Sequence, residues 1–102
     1  MTRTILLADD SVTIQKVVEL TFMDEDFRVV SAGNGSDAID QLAELRPDVV
    51  IADVHMPGAD GYEVSRRTRE SLPATPVLLL VGTFEAFDAD RAAESGASGY
   101  LK

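Results

Sequence analysis

The chain alternates short apolar runs with longer stretches whose apolar residues recur every three or four positions. Thr4-Ile5-Leu6-Leu7-Ala8 is too continuously apolar for a one-sided sheet and reads as a strand buried on both faces. Ser11 is placed to cap a helix reaching about Met23, with Ile14, Val17, Val18 and Thr21 on its inner face. The charged turn Asp24-Glu25-Asp26 leads into a second strand over residues 27–32, which Gly33-Asn34-Gly35 breaks. Ser36 or Asp37 then opens a helix with Ala38, Ile39, Leu42, Ala43 and Leu45 at helical spacing, closed by Arg46 and Pro47. Residues 48–53 form a third strand and 55–61 a loop. Asp60 with Glu63 makes a capping-box-like start to a helix ending near Glu70. Pro73 and Pro76 bracket a turn before a fourth strand at 77–81. Ala89, Ala92 and Ala93 mark a short helix ending at Gly96, and a fifth strand begins over 98–101.

This alternation predicts an α/β fold, a parallel sheet with helices on both faces joined by right-handed crossovers. Three aspartates stand where apolar runs stop: Asp9 and Asp10 after the first strand, Asp53 at the end of the third. In the flavodoxin-like doubly wound order 2-1-3-4-5, strands one and three are neighbours, so the three carboxylates meet at the carboxyl edge of the five-stranded sheet. That edge is where open α/β sheets bind ligands. Three like charges brought together need a cation or a raised pKa. A hard divalent ion such as Mg²⁺ (or Mn²⁺) suits an all-oxygen set.

Composition narrows the classes. A length of 102 residues with 45% hydrophobic residues fits one compact domain over residues 1–102. The absence of cysteine excludes a disulfide framework and a thiolate metal site. Eighteen acidic against nine basic residues give a formal charge of −9, which argues against a nucleic-acid surface and for cations or basic partners. No apolar run approaches ~18 residues and no charged-then-apolar leader precedes the first strand, so the expectation is a cytoplasmic domain without membrane insertion.

The chain resembles the receiver domains of two-component response regulators over its whole length. The resemblance rests on Leu7-Ala8-Asp9-Asp10-Ser11, on the run from Asp53 through His55-Met56-Pro57 to Asp60-Gly61, and on Gly96-Ala97-Ser98-Gly99-Tyr100-Leu101. It implies that Asp53 is the phosphoacceptor, served by a histidine kinase or phosphotransfer protein. It implies also that Asp9, Asp10 and Asp53, with the backbone carbonyl of His55, hold Mg²⁺. An output domain or effector protein would read the result, with Tyr100 at the family's aromatic switch position. The product is a labile acyl phosphate, so the domain is a signalling switch and not a turnover enzyme.

Two positions depart from the family pattern. Receivers carry Thr or Ser at the end of strand four, and that position is Val81, which has no hydroxyl. Thr83, two residues on past Gly82, is the candidate substitute, its plainer role being to cap the loop. Receivers also place a lysine three residues beyond the Tyr100 position, which is one residue past Lys102. Lys102 itself would face the other way by strand alternation, so the chain offers no phosphoryl-neutralising lysine and one is expected just after it. The usual final helix is absent too. A lysine near position 103 followed by a helix is the expected continuation, because the sheet face beside strands one and five would otherwise lie bare. The alternative is a pseudo-receiver that binds partners without phosphorylation, with Val81 as its signature. A metal-dependent phosphohydrolase fits less well, since its usual aspartate two residues after the nucleophile is His55 here.

Overall fold

A computed structural model describes residues 2–82 and 85–102. Among the described residues nine elements follow one another: β1 (Arg3–Ala8), α1 (Val12–Thr21), β2 (Phe27–Ala32), α2 (Gly35–Leu45), β3 (Val49–Asp53), α3 (Gly61–Ser71), β4 (Val77–Leu80), α4 (Ala89–Glu94) and β5 (Gly99–Leu101). All four strand pairs are parallel, and the order is β2-β1-β3-β4-β5. The predicted doubly wound sheet is therefore the one observed.

Strand alternation sorts the core into two clusters. Leu6, Ala8, Val50, Ala52, Val77 and Leu79 point to the face covered by α2, α3 and α4, where they meet Ala38, Leu42, Tyr62, Val64 and Ala92. Ile5, Leu7 and Ile51 point to the other face, where Val18 and Phe22 of α1 pack on them. Both faces of β1 are thus dry, which is why its sequence is a continuous apolar run.

Helix α1 corrects the expected inner face. No residue of α1 is fully buried, and Ile14 and Val17 are 37% and 53% exposed. Thr21 is exposed and its hydroxyl donates to the Val17 carbonyl at 2.6 Å. Contact with the sheet runs instead along Val18 and Phe22, with the Phe22 ring edge-on to Phe27 at 5.4 Å. Val12, Leu20 and Met23 are left outward.

Helix α2 opens earlier than Ser36. Asn34 is its cap, accepting the Asp37 N–H at 2.8 Å, and Ala43 is exposed. Residue 35 must be glycine there, because a Cβ would run into the backbone of Ala59. Ser11 and Asp60 cap α1 and α3 as their positions foretold, through the N–H groups of Ile14 and Glu63. Among the described residues no helix is long and apolar enough to cross a membrane.

Candidate functional site

The carboxyl ends of β1 and β3 lie side by side, with Ala8 in register with Ala52. The next residues on both strands are therefore neighbours, and Asp9, Asp10 and Asp53 each offer a carboxylate oxygen within 4.8 Å of the others. Asp9 is almost fully buried at 2% exposure, Asp10 is exposed, and Asp53 is half-buried.

Backbone donors fix two of the three. The Ser11 N–H donates to Asp9 Oδ1 at 2.9 Å, and the Asp9 carbonyl accepts the Gln15 amide at 2.7 Å. The His55 N–H donates to Asp53 Oδ1 at 3.1 Å, while the His55 side chain is exposed. These bonds favour the charged forms but do not win. Burial pushes the Asp9 carboxyl above its ordinary value, against the Ser11 bond, and the charges of Asp10 and Glu85 add to it. Burial likewise pushes Asp53 up to about 6, helped by Asp9 and Glu85 and opposed by the His55 bond. The site is frustrated as it stands, and a cation among the carboxylates would relieve it.

A cavity of about 320 Å³ opens beside the pair, lined by Asp9, Ile14, Asp53, Val81, Glu85 and Lys102 among others. Val81 is buried, its N–H bonded to the Leu101 carbonyl at 2.8 Å, so the strand-four position presents only methyl groups. Thr83, the candidate substitute donor, lies outside the described residues. Lys102 lines the cavity, where alternation had set it on the opposite face. Strand β5 ends at Leu101, so the period of two no longer governs residue 102.

Glu85 is the residue that the sequence reading missed. Its side chain accepts the Gly82 N–H at 2.6 Å, shares the cavity with Asp53 and helps raise the Asp53 pKa. The only signal was its place four residues beyond Val81, in a loop whose path no periodicity predicts.

Tyr100 is 52% exposed and stacks on Phe87 with ring centroids 4.1 Å apart. Phe87 leans toward Tyr62 at 6.5 Å, and the Tyr62 hydroxyl accepts the Asp88 N–H at 2.8 Å. A larger cavity of about 730 Å³ lies between the loop after β3 and α4. Two of its three carboxylates are engaged: Asp60 and Asp88 cap helices, and Asp60 also pairs with Arg91 at 2.9 Å. The three-aspartate edge is the better candidate for chemistry.

Comparison with known proteins identifies the family and the fold. A family model described as the response regulator receiver domain matches residues 5–102. The transcriptional regulatory protein AfsQ1 of Streptomyces coelicolor is 37% identical over 97 residues, which span 95% of this chain and 43% of that protein. The chain thus covers less than half of that curated relative. The chemotaxis protein CheY4 of Vibrio cholerae superposes with a TM-score of 0.88 at 30% identity, over 99% of this chain and 86% of that one. The BeF3-activated N-terminal receiver domain of RstA from Klebsiella pneumoniae gives a TM-score of 0.85 at 26% identity, covering 97% and 84%.

Proposed function

This chain belongs to the response regulator receiver domain family, and from that premise we propose that it is a phosphorylation-controlled switch whose acceptor is Asp53. Domains of this family are generally phosphoacceptor signalling modules, not turnover enzymes. The observation that carries the reading is the convergence of three aspartates from two adjacent parallel strands.

The residues fit a hard divalent cation, since every donor is oxygen and the buried Asp9 is surrounded by like charge. Asp9, Asp10 and Asp53, with the His55 backbone carbonyl, would hold Mg²⁺ or Mn²⁺. Bound there, the ion offsets repulsion between the acceptor carboxylate and an anionic phosphoryl donor.

The chain's own part is positioning. The His55 N–H fixes Asp53 Oδ1 and with it the rotation of the carboxylate. An Asp53 oxygen attacks the phosphorus of a phosphohistidine on the kinase or phosphotransfer protein. The P–N bond breaks, its electron pair stays with the imidazole, and an acyl phosphate remains on Asp53. The signal leaves through the face of α4 and β5, where Tyr100 lies, toward an output domain or effector protein. A cytoplasmic setting follows from such partners.

The test is incubation with Mg²⁺ and acetyl phosphate, read by intact mass. One phosphoryl mass on the native chain and none on Asp53→Asn is expected. The pseudo-receiver reading draws on Val81 and on the Glu85 carboxyl already standing beside Asp53. Absence of uptake in a chain that demonstrably binds Mg²⁺ would favour it.

A further inference from the structure

The Glu85 carboxyl is held in the acidic cavity by the backbone of Gly82. Its Oε1 accepts the Gly82 N–H at 2.6 Å, and its own N–H donates to the Gly82 carbonyl at 3.0 Å. The fit is close enough that a Cβ on residue 82 would stand 2.9 Å from the carboxyl carbon. Asp53 lines the same cavity, and the Glu85 carboxyl is near enough to help raise the Asp53 pKa. A carboxylate among carboxylates is unfavourable unless a donor holds it, and Gly82 supplies that donor. A backbone N–H turned toward an anion in this cavity is also the donor that a phosphoryl oxygen on Asp53 would seek.

The next residues carry the connection outward. Phe87, two positions on, stacks on Tyr100, and the Asp88 N–H is bound to the Tyr62 hydroxyl. The stretch from Glu85 to Asp88 therefore begins in the acidic cavity and ends on the aromatic group beside β5.

We propose that Glu85 couples occupancy of the Asp53 cavity to Tyr100, its carboxylate holding the place of a phosphoryl group until a phosphoryl group expels it. The inference rests on the reading of Asp53 as phosphoacceptor. Val81 has no hydroxyl to draw toward a phosphoryl group, so coupling here works by repulsion and not by attraction. Once a dianionic group stands on Asp53, Glu85 gives up the Gly82 N–H. Phe87, tied to it through one intervening residue, then loses the anchor that sets it on Tyr100. The same carboxylate opposes an incoming anionic donor, so Glu85 is also a brake on uptake.

Three chains test this: native, Glu85→Gln, which keeps an oxygen for Gly82 without the charge, and Glu85→Ala, which keeps neither. Ring signals of Phe87 and Tyr100 are followed by NMR with and without Mg²⁺ plus beryllofluoride, and uptake from acetyl phosphate by intact mass. Glu85→Ala alone should move both rings in the direction that beryllofluoride moves them in the native chain. Glu85→Gln should take up phosphoryl roughly tenfold faster, one charge of partly screened repulsion having gone. Native-like rings in Glu85→Ala would overturn the coupling even if native uptake upheld Asp53 as acceptor. Moved rings with no uptake by any of the three chains would uphold the coupling and defeat the acceptor reading.

Discussion

Gly61 and Asp53 touch backbone to backbone. A Cβ on residue 61 would collide with the Asp53 carbonyl and stand 2.7 Å from its carbon, and the Gly61 N–H reaches back to the Val54 carbonyl at 3.4 Å. The first turn of α3 is thus seated directly on the end of β3. Because the obstruction is main chain, a side chain there can be admitted only by moving the helix or the strand. Gly61→Ala is expected to cost about 1–3 kcal/mol, as overpacking does, and to weaken divalent-ion binding at Asp53. Urea midpoints and calorimetric Mg²⁺ titration measure the two effects. A variant as stable and as tight as the native chain would show that the contact relaxes freely.

Divalent-ion binding should depend on Asp10, the exposed member of the carboxylate set. Asp10→Asn removes one charged oxygen ligand without disturbing the buried Asp9, and is expected to weaken Mg²⁺ by at least about tenfold. The chain has no tryptophan, so amide shifts or calorimetry must report it. Unchanged affinity would move the ion elsewhere.

Asp53 makes the metal-free chain sensitive to pH in an unusual direction. Its carboxyl is held at about 6 against an ordinary 3.8, chiefly by burial. Across that window the folded chain binds more protons than the unfolded one, so this group's contribution to stability falls as pH rises. Relative to Asp53→Asn, the native chain should lose on the order of 1–2 kcal/mol between pH 4 and 6, after allowance for solvent screening. Mg²⁺, which selects the ionised carboxylates, should flatten the slope. Parallel pH profiles of the two chains without metal would contradict the assignment.

Asp60 has two jobs that substitution separates. It caps α3 through the Glu63 N–H at 2.9 Å, and it pairs with the exposed Arg91 guanidinium. Asp60→Ala loses both and should cost about 1 kcal/mol, nearly all from the cap. In a domain of this size that lowers the melting midpoint by roughly 4–8 °C. Asp60→Asn keeps the cap, and the lost ion pair should hardly register. Equal losses in both variants would mean that the pair matters more than the cap.

The sheet was legible because its strands announce themselves on both faces: the unbroken run of β1 is the signature of burial on two sides, and the parallel order follows once Asp9 and Asp53 are required to meet. The caps Ser11 and Asp60 were legible because capping is local chemistry. The orientation of α1 was not. Ile14, Val17 and Val18 all fit a helical stripe, and only the angle at which Phe22 seats on Phe27 decides which of them faces the sheet. Glu85 was illegible for a related reason. Its approach to Asp53 depends on how the connection after β4 turns, and no spacing rule fixes an irregular path.

The strand order has a consequence for motion. β1 and β3 are interior strands, laddered on both sides, whereas β5 is an edge of three residues with Tyr100 and Leu101 more than half exposed. Amide protons on β1 and β3 can exchange with solvent only through global opening, while those on β5 exchange through local fraying. Deuterium uptake should therefore begin at residues 99–101 and reach residues 5–8 last. The acceptor rides on the slowest-breathing part of the molecule and the readout on the fastest. A binding partner can thus choose among edge conformations without loosening the aspartates.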